Sequence, residues 1–275
     1  MDSTPRFKTF SLLPLIIFVI SSISYAQENA ASTKAPERRL FSDILSEQRA
    51  IWTSPKHMKG RDLKWLVPFA GLTAALIATD DHFSKQLSYS KSQLSISHSV
   101  SDIGVYGMYG AIGALYLDGH FAHQEGRIKT GLLGGEAIAS SEIVGGLLKI
   151  TTRRQRPNAP GSDGSFWVGG ESFPSGHSIS AWSAATVLAN RYPDKRWLKF
   201  GVYGLASAIS AARFTGKNHY PSDVVVGGVL EGGRSILGGK VMTTKKQQTT
   251  TACTVCLPWD LLLSPKIRAK ERGRP

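Results

Sequence analysis

The sequence predicts an all-α fold, a compact bundle of about six or more helices. Three observations carry that expectation. No stretch alternates apolar and polar residues as a half-buried strand would. Apolar runs of helical length recur along the chain and are separated by polar turns. These runs are rich in Gly and Ala, which let helix backbones approach closely. With 275 residues the chain can bury a core without covalent staples, and one domain plus terminal extensions is expected.

The first 26 residues read as a secretory signal peptide. Arg6 and Lys8 precede an apolar run over 12–20, and Ser24-Tyr25-Ala26 supplies small residues for cleavage after Ala26. An uncleaved N-terminal anchor is the alternative, but the run is short for a span. Residues 27–60 are a polar linker with Pro36 and Pro55, containing a short amphipathic helix over 40–51. The next run, 65–79, is apolar except for Thr73 and stops at Asp80-Asp81-His82, which suggests a buried helix.

A helix over 103–117 carries Gly104, Gly107, Gly110 and Gly113, a stripe suited to close contact with a neighbour. The helix over 130–148 is interrupted by Glu136 and Glu142, which argue against a lipid-facing position. Three further helices follow over 178–190, 198–212 and 224–237; Ile179, Trp182, Ala185 and Ala189 share a face of the first. One folded domain is expected over 61–239, and 240–275 read as a basic, disordered tail. An alternative for that tail is attraction to anionic lipid.

Charge narrows the partners. Lys and Arg number 33 against 20 Asp and Glu, a formal net charge of +13, which favours phosphate esters, acidic lipid or nucleic acid. Export argues against nucleic acid. Only two cysteines exist, Cys253 and Cys256, so a disulfide framework is excluded; their CxxC spacing in the tail suits a redox pair or half a zinc site, but no second CxxC or nearby His pair completes it, and they read as incidental tail cysteines. His120-x2-His123-x-Glu125 and Asp80-Asp81-His82 match no recognisable metal-ligand pattern and read as residues at helix ends.

The chemistry concentrates between Lys149 and Asp223. Lys149 and Arg156 end one helix and enter a loop turned aside by Pro157, with Arg153 and Arg154 in the same basic cluster. Arg offers a planar fork for phosphate oxygens, and Lys a compact point charge. Ser175 is a good N-cap residue, so the amides at Gly176 and His177 would point at an anion ahead of the helix. Arg213 supplies another fork. His219 precedes Tyr220-Pro221-Ser222-Asp223, where Pro221 suits the first turn of a helix that brings Asp223 close to His219. A carboxylate accepting from one ring nitrogen would fix the tautomer and leave the other nitrogen free. Each cluster alone has a structural explanation: a solvated basic face, a capped turn, a capping Asp. Together they supply cations, an anion-binding helix start and two histidines, the parts needed for phosphoryl transfer.

In order, Lys149-x6-Arg156-Pro157, Pro174-Ser175-Gly176-His177 and Arg213-x5-His219-x3-Asp223 resemble the signature K-x6-RP, PSGH and SR-x5-H-x3-D of the type 2 phosphatidic acid phosphatase superfamily. That superfamily also includes class A bacterial acid phosphatases, lipid and isoprenoid-diphosphate phosphatases, and vanadium haloperoxidases. The resemblance implies the all-helical bundle of that type and a metal-independent, two-step hydrolysis. His219 would attack phosphorus, Asp223 would orient His219, and His177 would act as general acid and then base. Lys149, Arg156, Ser175, Gly176 and Arg213 would bind the phosphate. Ala212 stands where the pattern usually has Ser, so one hydroxyl contact is absent.

The expected substrate is a phosphorylated small molecule or a lipid phosphate or diphosphate, with no cofactor and with peripheral membrane contact as an option. The sequence leaves the oligomeric state open. A periplasmic or other extracytoplasmic location follows from the signal segment. The alternative within the fold is a haloperoxidase with vanadate in the same cradle, against which the moderate chain length argues. An alternative of another class is a non-catalytic binder of anionic lipid, which would not require His219 and Asp223.

Overall fold

The computed structural model describes residues 40–53, 56, 60–87 and 90–237. The signal segment, most of the linker, the tail and its CxxC lie outside the described residues. Those described are all-α: α1 (Leu40–Thr53), a 3-10 turn (Gly60–Asp62), α2 (Leu63–Gln86), α3 (Lys91–Phe121), α4 (Glu125–Thr152), α5 (Gly176–Arg191), α6 (Arg196–Thr215) and α7 (Pro221–Leu237).

Helix α5 is the central one. Its Ala181, Ala184, Ala185 and Ala189 are buried together with Ile179, Val187 and Leu188, so small residues let neighbours close in on it from several sides. Helices α3, α4, α5 and α6 form a ring of four: α3 packs on α4 and α6, and α5 on the same two. The core between them joins Met108, Ile112 and Leu115 of α3 to Leu188 of α5 and Leu198, Val202, Leu205 and Ile209 of α6. Helix α7 packs on α5, α2 lies along α7, and α1 rests on α4. The α3–α4 pair is drawn close at Gly131, where an added Cβ would stand 2.6 Å from Tyr116 Cβ and 2.7 Å from its backbone nitrogen.

All the anticipated helices form, and most run further than their apolar runs. Ser90 Oγ accepts from Gln93 N at 3.1 Å, and this cap starts α3 twelve residues before the expected 103, through a polar segment that ends at Asp102. The carboxylates of α4 turn into the protein as expected: Glu136 is buried and Glu142 accepts from Ser180 Oγ of α5.

Two expectations are corrected. The apolar run 65–79 is not a buried helix: Leu66, Val67 and Leu72 are exposed, because α2 packs chiefly against one neighbour, α7. Nor does it stop at Asp80. The helix continues to Gln86, carried by the i, i+4 pairs Asp81–Lys85 at 2.7 Å and His82–Gln86 at 2.8 Å. The glycine stripe of α3 works only at one end. A Cβ on Gly104 would stand 2.6 Å from Ile209 Cγ1, whereas Gly110 and Gly113 have nothing within 4 Å. Each three-residue step on an α-helix falls about 60° short of a full turn, so nine residues carry the stripe to the opposite face.

Candidate active site

Two helix starts and two helix ends converge on the site. Lys149 lies in the last turn of α4, which ends at Arg153 in the left-handed conformation (φ 44°). The loop that follows folds back on this end: Trp167 N donates to Thr152 O at 2.8 Å, and Gly170 N donates to Arg153 O at 3.0 Å. It then leads through a cis Phe173-Pro174 bond into α5. The start of α5 is fastened to the start of α7, with Ser175 N donating to the backbone oxygen of Asp223 at 3.0 Å. Arg213 lies in the last turn of α6, and the tight turn after the helix returns His219 N to Arg213 O at 3.2 Å.

Ser175 is the N-cap of α5, as expected, but its side chain makes no capping bond. Its hydroxyl is fully buried and accepts from Ser178 Oγ at 3.2 Å. The first amides of α5 are thus left to a ligand rather than to the cap. A Cβ placed on Gly176 would stand 3.3 Å from Lys149 Nζ and 3.5 Å from Glu142 Oε1. Lys149 therefore presents its ammonium at that helix start, beside a carboxylate the motifs do not include.

The cations form one electropositive cluster. Burial lowers the Lys149 pKa, partly offset by Glu142 and reinforced by Arg156 and Arg213. Arg213 is pushed down to about 10 by burial, opposed by Asp102 and reinforced by Arg156, so it stays charged at neutral pH. Its Nη1 lies 3.3 Å from both Ser101 Oγ and Asp102 Oδ1, while its buried Nε has no hydrogen-bond partner among the described residues. A buried, unpaired guanidinium donor is costly unless an anion uses it.

His219 is almost fully buried. Burial, with smaller contributions from Arg213 and Arg156, brings its pKa down to about 4 against the opposing influence of Asp223, so the ring is neutral at physiological pH. Asp223 is close to His219, as Pro221 at the first position of α7 led one to expect, but the orientation differs from the expected one. Nδ1 lies 2.7 Å from the backbone oxygen of Ser172 and 3.7 Å from Asp223 Oδ2. The carbonyl can only accept, so Nδ1 carries the proton and Nε2 is free. Asp223 is itself saturated, with Oδ2 accepting from Ser172 Oγ at 2.5 Å and Tyr220 N at 2.9 Å. Burial opposes its charge, but His219, Arg154 and Ser172 outweigh burial and hold its pKa below the usual carboxylate value.

His177, in the first turn of α5, is half-buried. Its Nε2 lies 3.0 Å from Asp102 Oδ1, which leaves Nδ1 for proton transfer. Burial and then Arg213 lower its pKa, and Asp102 pulls the other way. Asp102 thus bridges His177 and Arg213. No motif marks Asp102, which lies 75 positions from His177. The basic cluster is also corrected: Arg154 is not part of a solvated face but fully buried, with Nη1 2.6 Å from Asp223 Oδ1.

The two weighed metal motifs do not gather. Asp80 is buried against Arg154 and Ser222, Asp81 pairs with Lys85, and His82 with Gln86, because consecutive helical residues fan out around the axis. Among the described residues no group of three or more His, Cys, Asp or Glu side chains is gathered as metal ligands.

Neither the curated proteins nor the solved structures compared with the chain gave a match. A family model did, over residues 131–247, a segment that begins in α4 and contains all three motifs but neither Asp80 nor Asp102. The model that matches is that of the PAP2 superfamily, and the three motifs stand in order within the matched segment, on an all-α bundle that brings their side chains to one site.

Proposed function

We propose that this protein is a phosphatase that cleaves phosphomonoesters, or lipid phosphates or diphosphates, through a phosphohistidine on His219. Members of the superfamily are generally phosphoesterases, which supports this reaction class. The observation that carries the finer reading is His219 itself: buried, neutral, its Nδ1 proton engaged by Ser172 O at 2.7 Å, and flanked by a cluster of cations.

In the first step Nε2 attacks phosphorus, the P–O bond to the leaving group breaks, and Nδ1 of protonated His177 donates to the departing alkoxide. The imidazole becomes positive as the P–N bond forms, and the Asp223 carboxylate 3.7 Å away stabilises that charge. In the second step His177, now neutral, takes a proton from water as the oxygen attacks phosphorus. Phosphate leaves and His219 returns neutral. Lys149, Arg156, Arg213 and the amides at Gly176 and His177 neutralise the equatorial oxygens throughout. The reading assigns charge neutralisation to these groups alone.

The reading extends to an exported enzyme, supported by the signal-like N-terminus. No described helix is long and apolar enough to cross a membrane. Support for an amphiphilic substrate comes from Ile150, 72% exposed beside Lys149, and Trp167, 76% exposed on the loop tied to Thr152.

The test is phosphate release, with a chelator present, from a soluble aryl phosphate, phosphatidate and an isoprenyl diphosphate. His219→Ala is expected to abolish hydrolysis while inorganic phosphate still binds. Full turnover in that variant would remove His219 as nucleophile. Bromination with vanadate and peroxide, in the absence of any phosphate release, would replace the phosphatase by a haloperoxidase.

A further inference from the structure

Arg154 and Asp80 belong to no group given a role above, and Asp80 lies well before the family segment. We propose that Arg154, held by Asp80, is a positioning residue for His219 that acts through Asp223 and Ser172. The inference rests on reading His219 as the nucleophile.

The guanidinium is fixed on every side. It lies between the rings of Phe166 and Tyr220, 4.6 and 4.5 Å from their centroids. Nε donates to Gly164 O at 3.0 Å, Nη1 to Ser222 Oγ and Asp223 Oδ1, both at 2.6 Å, and Nη2 to Asp80 Oδ2 at 2.7 Å. One planar fork therefore joins a carboxylate of α2 to a carboxylate of α7 and to the loop between α4 and α5. A lysine, with a single point charge, cannot hold all three at once.

The backbone of the same residue reaches the nucleophile by a second route. Arg154 O accepts from Ser172 N at 2.9 Å. Ser172 then makes the two contacts that define the nucleophile: its carbonyl lies 2.7 Å from His219 Nδ1, and its hydroxyl donates to Asp223 Oδ2 at 2.5 Å. Arg154 thus fixes one oxygen of Asp223 with its side chain, and fixes with its backbone the residue that fixes the other oxygen and the histidine. Asp80 completes the arrangement. It also accepts from Ser222 N at 3.1 Å and from Ser222 Oγ, which registers α2 against the first turn of α7.

A buried ion pair that served only to hold α2 on α7 would need one carboxylate on Arg154. Here the second carboxylate is the one beside the nucleophile. The cradle cations Lys149, Arg156 and Arg213 make no hydrogen bond to Arg154 or Asp80, so a change in this network acts on the attacking ring and not on phosphate capture.

The test compares Arg154→Lys and Asp80→Asn with the full wild-type chain. It measures kcat, KM, inhibition by inorganic phosphate and the rate of phosphohistidine formation in a single turnover, all per folded protein. Small displacements of a reacting group cost on the order of a hundredfold in rate. The expected result is a fall in kcat and in phosphohistidine formation of about a hundredfold for Arg154→Lys and about tenfold for Asp80→Asn, with KM and phosphate inhibition within about twofold of wild type. Lower melting temperatures with unchanged kcat per folded protein would reduce the network to scaffold and overturn the proposal. So would a rise in KM that accounts for the whole loss. Should Arg154→Lys fail to fold, Asp80→Asn, which leaves the Arg154–Asp223 pair intact, decides by the same criteria. A wild-type chain that releases no phosphate overturns the phosphatase reading and this inference with it. An active wild type, a dead His219→Ala and two variants at full kcat overturn this inference alone.

Discussion

Asp102→Asn tests the acid-base assignment of His177 through the pH profile, which Arg213, also paired with Asp102 and charged well above neutral pH, does not shape there. The substitution keeps an oxygen that can accept from His177 Nε2, now 3.0 Å away, and removes only the negative charge. Two unit charges at that distance interact by about 1.4 kcal/mol in bulk water, which is about one pKa unit. Asp102 has a side chain 49% exposed, so the water limit is the relevant one, and exposed pairs often deliver less. The expected shift in His177 is between about half a unit and one unit, downward, because the carboxylate stabilises the protonated ring. On the proposed mechanism, kcat/KM requires a free enzyme with His219 neutral and His177 protonated. The acidic limb is then set by His219 near 4 and the alkaline limb by His177, whose pKa already lies below its ordinary value. Asp102→Asn should move the alkaline limb toward acid by that amount, leave the acidic limb in place and lower the peak. The assay is kcat/KM against pH for both proteins on one aryl phosphate, so that ionisation of the substrate cancels. An alkaline limb that stays put, or moves toward base, would show that His177 is not the proton donor.

Two further outcomes concern stability. Gly131→Ala should destabilise by up to about 2 kcal/mol in denaturant titration: the new Cβ meets Tyr116 backbone atoms that cannot rotate away, at a cost of about 1–3 kcal/mol, and the gain in helix propensity offsets about 1 kcal/mol of it. Gly135→Ala on the same helix, with nothing within 4 Å, should show that gain alone. The depressed His219 pKa means that the unfolded chain binds its proton more readily than the folded one. Stability from the neutral ring is therefore complete above about 6.5 and is lost as pH falls toward 4, by about 3 kcal/mol in all. His219→Asn should flatten the dependence of the unfolding midpoint between pH 7 and 4; an unchanged slope would contradict the neutral buried ring.

Helix positions were legible in the sequence because apolar runs of helical length have few other uses. Helix ends were less so, since caps and i, i+4 pairs such as Ser90–Gln93 and Asp81–Lys85 add turns made of polar residues. Exposure of α2 was not legible at all. An apolar helix reads the same whether it is enclosed or covered on one side, and only the packing of α7 decides. Within the site, local spacing placed His219 near Asp223 and made His177 the start of α5. It did not reveal that a carbonyl, not the carboxylate, takes the Nδ1 proton, because Ser172 is 47 residues from His219 and any residue type could supply that oxygen.

The segment Arg153-Arg154-Gln155-Arg156 shows why residue type and proximity in sequence underdetermine chemistry. Arg153 ends α4 in a left-handed turn with its side chain exposed. Arg154 is driven inward because its backbone oxygen is taken by Ser172 N and its side chain meets two buried carboxylates and two aromatic faces. Arg156, two residues on, is close enough to depress Lys149, Arg213 and His219. Three identical charges thus stand at a helix terminus, in a buried strut and, on the proposed reading, at the phosphate. What separates them is the loop's return path, set by Gly170 and Ser172 bonding back to Arg153 and Arg154. The motif Lys149-x6-Arg156-Pro157 names Arg156 alone of these three arginines, so it records the proposed phosphate ligand and leaves the buried strut two residues before it unmarked.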